Sequence, residues 1–419
     1  MRLARVSLVA VFAATTAVVP QAAAAAPTSC EQAPAPGKPL PKLAPRDPLI
    51  SEMALDQAWP LSRGEGVTVG VVDSGVDPAS PKLAGAVEPG VTYRVANNAA
   101  GFTVAPNGRV DCEGHGTQVA GVIAGRKGKG DDRVSGIAPA ATIYPVAFLT
   151  PIEDSPPEMI GAAIRNAADN SEIVNLSFAM PVDRPEVRSA VDYALHRGVV
   201  VVASAANDNG TTLPGETPIS YPAAYPGVIA VATAPPDGSV DPSAMRGSWI
   251  SLAAPGTALM TEPRGGKDFV SVDGTSYATA IVSGAAALVK ARFPDLSPAQ
   301  VAARLEQTAV PPGDGSRDDT IGFGVVDPFA ALTASTIHGA QPSATNQGSV
   351  PVQRVHAAAR GDGSGKVLAV VAVLAALSVL VGLATASVRS GRRRGWYPGK
   401  PPAEHVDHRT AEPHPAELG

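Results

Sequence analysis

Short apolar runs alternate with amphipathic ones through the middle of the chain. Residues 67–72, 143–149, 172–178, 198–203 and 228–233 are short and apolar, and 67–72 and 198–203 are largely β-branched. A strand that is apolar on both sides is buried on both faces, as in a parallel sheet covered by helices. Between these runs, residues 157–168 place Met159, Ile160, Ala163, Ile164 and Ala167 on one helical face. Residues 186–197 do the same with Val187, Ala190, Val191 and Ala194. Ser297 and Pro298 open a later helix as cap and first residue, and it carries Val301, Leu305 and Thr308. This alternation predicts one α/β domain over residues 61–335, with a parallel central sheet and helices on both faces.

Two apolar runs lack the polar face that a globular element needs. Residues 6–19 follow Arg2 and Arg5 and lead into Gln21 and the alanines of 22–26. A charged start, an apolar run too short to span and a small-residue cleavage zone make residues 1–26 a signal peptide. Residues 367–388 are 22 positions without a charge. As a helix they cover about 33 Å, enough for a hydrocarbon core of roughly 30 Å. Arg389, Arg392, Arg393 and Arg394 follow at once, which places the tail 389–419 in the cytoplasm and the body outside. The expectation is a single-pass chain with one C-terminal transmembrane helix. Residues 27–60 form an N-terminal extension, rich in Pro and Ala to about residue 48, and 336–366 form a flexible linker.

Composition narrows the chemistry. The chain has 419 residues, 45% hydrophobic and 17% charged, so it is not a disordered chain. A formal net charge of −5 gives no basic field for nucleic acid. Two cysteines make neither a disulfide-rich scaffold nor a four-ligand zinc site. No Asp-rich loop matches a calcium site, and GEGVTVG at 64–70 precedes its strand, whereas a dinucleotide loop follows one. No metal and no cofactor are expected.

Three motifs carry candidate chemistry. In VTVGVVDSGVD (67–77), Asp73 ends a strand, where open α/β sheets place their sites. In DCEGHGTQVAGVIAG (111–125), His115 stands between Gly114 and Gly116. In DGTSYATAIVSGAAALVK (273–290), Ser276 opens a helix that is small or apolar on every side. Singly, these residues serve equally well as a turn former, a structural histidine and a helix cap. Together they supply a hydroxyl nucleophile, an imidazole to take its proton and a carboxylate to orient the imidazole.

The Asp–His–Ser order is that of the subtilisins. On these motifs the chain resembles the subtilisin-like serine proteases (subtilases) from about residue 60 to 335, closing at IGFGVVDPFAAL (321–332). The resemblance implies the subtilisin-like fold and cleavage of protein or peptide substrates. VVASAANDNG (201–210) is similar to the stretch that bears the family's oxyanion asparagine, which falls on Asn207. Ser177, Phe178 and Ala179, after IVNL, match the edge that pairs with extended substrate, and Ala206 falls on the wall of the S1 pocket.

A signal peptide, an arm with a cysteine, a cysteine three residues before the histidine and a C-terminal membrane helix together resemble the mycosins. Those are membrane-anchored subtilases of type VII secretion systems. This implies a Cys30–Cys112 disulfide that holds the N-terminal arm in place, and partners among secretion-complex subunits and the membrane. The chain departs from the pattern at four points. It lacks cysteines for a second disulfide, and it has Ala206 for the usual Gly, Ala280 for the usual Pro and Ser74 for the commoner Thr. The expected activity is that of an endopeptidase. The alternative is a structural or gating component of a secretion complex with little proteolysis of its own.

Overall fold

A computed structural model describes residues 37–41, 46–96, 101–127, 133–206, 219–239, 245–266, 268–312, 315–335 and 337. The signal peptide, Cys30, Asn207, the 367–388 span and the tail lie outside the described residues. Among the described residues no helix is long and apolar enough to cross a membrane.

In chain order the elements are β1 (Lys38–Pro39), α1 (Pro48–Glu52), α2 (Leu55–Ala58), β2 (Thr68–Asp73), β3 (Val91–Val95), β4 (Phe102–Pro106) and α3 (His115–Ala124). Then come β5 (Thr142–Phe148), α4 (Pro157–Asp169), β6 (Ile173–Leu176), α5 (Pro185–His196), β7 (Val200–Ser204) and β8 (Ile229–Thr233). The last are β9 (Leu252–Ala254), β10 (Leu259–Thr261), β11 (Val270–Val272), α6 (Thr275–Arg292), α7 (Pro298–Gln307) and α8 (Pro328–Thr333).

The main sheet runs β4–β3–β5–β2–β6–β7–β8–β9. Every neighbouring pair is parallel except β3–β4. Residues 69, 71 and 72 of β2 are all fully buried because helices cover both faces. Val69 and Val71 pack toward α3 and α6, while Val72 packs toward α4 and α5. The predicted α/β architecture is therefore present, with boundaries shifted by a residue or two. Winding reverses at β2, with β3 and β5 on one side and β6 to β9 on the other. Open sheets bind ligands at the carboxyl ends beside such a reversal, and Asp73 is the last residue of β2.

Helix α6 passes through one buried layer. Ala278, Ala280, Ile281, Val282, Ala285 and Leu288 have no exposed surface, so small side chains all round it let neighbours approach closely. It runs unbroken through Ala280. Helix α7 begins with the expected cap, extended to a full capping box: Ser297 Oγ accepts from the Gln300 N–H, and Gln300 Oε1 accepts from the Ser297 N–H.

The pattern left several elements unread. The β3–β4 hairpin consists of short, half-exposed strands, and the strands of the small antiparallel sheet β1–β11–β10 are only two or three residues long. Helices α1 and α2 lie within the stretch assigned to the extension, yet Leu49, Ile50, Leu55, Ala58 and Trp59 belong to the core. Trp59 Nε1 donates to the Ile137 carbonyl at 2.9 Å. Helices of five and four residues are too short to show a period.

Trp59→Ala is expected to cost about 3–5 kcal/mol in urea unfolding, the usual range for a large buried aromatic. A loss below about 0.5 kcal/mol would mark residues 48–59 as an appendage.

Candidate active site

Three loops converge above the carboxyl ends of β2 and β6. The Asp73 carboxylate is 5% exposed and accepts from the Ser74 N–H at 2.7 Å. His115 Nδ1 stands 2.8 Å from one Asp73 oxygen and 3.0 Å from the other, which fixes Nδ1 as the donor and leaves Nε2 free. Glycine makes this approach possible. A Cβ on Gly116 would lie 2.1 Å from the Gly75 carbonyl oxygen, and one on Gly75 would lie 2.0 Å from the Val110 carbonyl oxygen. Gly75 and Gly114 also have φ of 111° and 97°, in the left-handed region.

Ser276 is the second residue of α6. Its Oγ donates to the Ser177 carbonyl at 3.0 Å, and Ser177 Oγ donates to the Ser276 carbonyl at 3.0 Å. Among the described residues, Ser276 makes no hydrogen bond to His115. The two nevertheless line one open cavity of about 350 Å³ together with Asp73, Glu113, Ser177 and Phe178. The hydroxyl that faces the Ser177 carbonyl would have to turn toward the imidazole for the two to pair, a tightening that ligand-free sites often require.

The electrostatics favour a charged imidazole. Burial alone would lower the His115 pKa, but the Asp73 charge and hydrogen bond outweigh it, and with Glu113 and Asp111 they raise it to about 9. The folded value lies above the ordinary 6.5, so the stabilisation is complete below pH 6.5 and is lost as pH rises through about 9. Burial raises the Glu113 carboxyl, His115 pulls it down, and Asp73, Asp111 and Glu153 repel it. The His115 ring also rests against Tyr277, with centroids 5.5 Å apart.

The edge beyond β6 is tied to α6 by two residues, Asn175 and Ser283, that lie within the quoted stretches but were not singled out there. Ser283 Oγ donates to Asn175 Oδ1 at 2.9 Å, and Asn175 Nδ2 donates to Ser177 Oγ at 2.8 Å. Asn175 and Ser283 are wholly buried. The one available signal was a polar residue inside the apolar run IVNL, since a buried amide requires partners. Phe178 lines the cavity, and Ala179 follows it, half-buried.

Ser204 Oγ donates to Thr275 Oγ1 at 2.8 Å, joining the end of β7 to the start of α6. Ala206 follows with φ of 77°. A side chain there is strained by about 1–2 kcal/mol, which gives the family's preference for glycine a physical cause. Asn207, the next residue, lies outside the described residues. Cys112 is half-buried beside Glu113 and no described cysteine is free, while Cys30 lies outside the described residues. Among the described residues, no group of three His, Cys, Asp or Glu could hold a metal ion.

The largely parallel sheet covered by helices, with an aspartate, a histidine and a serine around one cavity at its strand ends, is an α/β architecture of the subtilisin kind. The Subtilase family model matches residues 64–324, and the chain belongs to that family of serine endopeptidases. It is related to the mycosins: it is 32% identical to Mycosin-1 of Mycobacterium tuberculosis over 393 residues, 82% of this chain and 84% of that protein. It is 34% identical to Subtilisin E of Bacillus subtilis over 248 residues, 59% of this chain and 61% of that one. Among solved structures, MycP1 from Mycobacterium smegmatis aligns with a TM-score of 0.62 at 31% identity, covering 74% of this chain and 91% of that one. A chain of an intact ESX-5 inner membrane complex aligns with a TM-score of 0.61 at 28% identity, covering 86% and 94%.

With the imidazole held charged, kcat/KM on a peptide substrate should climb with pH through a midpoint above 6.5. Glu113→Gln removes a neighbouring negative charge and should move that midpoint down. A wild-type midpoint at or below 6.5 would contradict the assignment.

Proposed function

We propose that this chain is an exported, membrane-anchored serine endopeptidase that cleaves extended protein segments in association with type VII secretion. The observation that carries the catalytic part is the 2.8 Å pairing of Asp73 with His115 in the cavity that Ser276 also lines. Ser276 Oγ attacks the scissile carbonyl while His115 Nε2 takes its proton. The imidazolium formed is held by Asp73, then hands that proton to the leaving amine nitrogen. Water, with His115 again as base, releases the acyl group. The Ser276 N–H and the Asn207 amide bind the oxyanion, and loss of one such donor costs about 2.7–4 kcal/mol of barrier, as measured in subtilisin.

The substrate lies as an added strand along Ser177, Phe178 and Ala179, whose backbone leaves β6 at the cavity wall. The Ala206 methyl narrows the S1 wall, so small P1 side chains are favoured. The 1–26 leader exports the domain, and the 367–388 helix anchors it with its C-terminus in the cytoplasm. Cys112 pairs with Cys30 and keeps the N-terminal arm attached. Similarity to a chain of the ESX-5 inner membrane complex supports a place beside secretion subunits. That similarity also favours a second reading, in which the domain braces or gates the complex and cleaves little.

A fluorophosphonate probe distinguishes the two. Wild-type protein should be labelled at Ser276, and Ser276→Ala should lose all label. Wild-type protein that stays unlabelled while folded would favour the bracing reading. On peptide libraries, Ala206→Gly should extend P1 acceptance from Ala and Ser toward Leu and Phe. It should also raise stability by about 1 kcal/mol by removing the strained side chain. A wild-type profile already led by Phe or Leu would refute the narrowed pocket.

A further inference from the structure

Asp111 lies four residues before His115, is 3% exposed, and has no part in the proton transfers. Its carboxylate is saturated. Oδ1 accepts from Ser74 Oγ at 2.9 Å, the Glu113 N–H at 3.1 Å and the Gly114 N–H at 2.7 Å. Oδ2 accepts from the Thr117 N–H at 2.8 Å and from Thr117 Oγ1 at 2.5 Å. These donors come from two separate elements: the turn after β2, which follows Asp73, and the loop and first turn of α3, which carry His115. Ser74 Oγ closes the circuit by accepting from the Gly116 N–H at 2.9 Å. From the β10–β11 loop, Arg264 Nη1 donates to the carbonyls of Asp111 and Cys112.

A buried carboxylate loses its hydration, so its position is favourable only while donors of fixed geometry replace the water. Capping α3 would need only the Gly114 and Thr117 amides, because Gly114 has no side chain to cap with. The bond to Ser74 goes beyond capping and ties the helix start to the strand end. We propose that Asp111 is a positioning residue for catalysis, holding the His115 turn at a fixed distance from Asp73 through Ser74. This rests on the catalytic reading above. It also adds a negative charge near the imidazole, beside those of Asp73 and Glu113, while the Tyr277 ring packs against the imidazole.

The test uses the full-length protein, peptide hydrolysis and the fluorophosphonate probe. Wild-type labelling at Ser276 is checked first, so failure of the catalytic reading shows itself separately. Asp111→Asn keeps the shape but turns amide hydrogens toward the Thr117 donors. It should lower kcat by about 10- to 100-fold, the scale of a small misplacement of a catalytic group, with KM changed less than about 3-fold. The pH midpoint should move down. Ser74→Ala leaves the Asp111 bonds to Gly114 and Thr117 in place and removes the bridge, together with the acceptor of the Gly116 N–H, so it is the second variant should Asp111→Asn not fold. It should lower kcat by about 10-fold, and the double variant should lose less than the product of the single losses, because both break one connection. If kcat falls only in proportion to the folded fraction seen by circular dichroism, with the pH midpoint unmoved, the proposal is overturned. Independent, multiplying losses for the two variants overturn it as well.

Discussion

The site depends on how closely the turn after β2 approaches the start of α3. Two glycines set that distance, since a methyl on Gly116 would overlap the Gly75 carbonyl and one on Gly75 would overlap that of Val110. At this spacing the Asp73 carboxylate meets His115 Nδ1 with both oxygens within 3.0 Å. The same closeness lets Ser74 bridge from Asp73's turn to Asp111 and the Gly116 amide. An added side chain at either glycine would separate the pair. The charged state of the imidazole and the direction of its free nitrogen would be lost with it.

The serine arrives by a different route. Helix α6 has no exposed face over most of its length, so its N-terminus is fixed by packing rather than by a loop. The Ser283–Asn175–Ser177 chain then joins that helix to the edge beyond β6. The proposed nucleophile and the proposed substrate edge are thus held to one another by buried polar bonds. Such bonds are unforgiving of register, because an unpaired amide in this layer costs about 1–3 kcal/mol. The resting hydroxyl on the Ser177 carbonyl belongs to the same connection, and an entering substrate strand would compete for that carbonyl's surroundings.

What the sequence reveals follows from which forces act locally. Strands β2, β6 and β7 were legible because burial on both faces makes them continuously apolar. Helices α4 and α5 were legible because each buries only one side. β4 was not, because it is half-exposed and carries no continuous apolar run, and nor were the two helices at 48–58, each too short for a period to emerge. Asp73, His115 and Ser276 stood out because each is framed by glycine where backbones crowd. Asp111, Asn175 and Ser283 did not, because their meaning lies in partners distant in the chain; Asn175 and Ser283 are 108 positions apart. Ala206 was visible as a departure from a family pattern, but its left-handed backbone was visible only in the fold.

A crystal structure of the protein with a peptidyl boronic acid would test the central claim most directly. The account predicts a covalent bond from Ser276 Oγ to boron, with the hydroxyl released from the Ser177 carbonyl. It further predicts His115 Nε2 within hydrogen-bond reach of the adduct, Asp73 still on Nδ1, and the Asn207 amide on a boronate oxygen. A fully occupied inhibitor that leaves Ser276 unmodified, or an adduct that His115 does not touch, would contradict it.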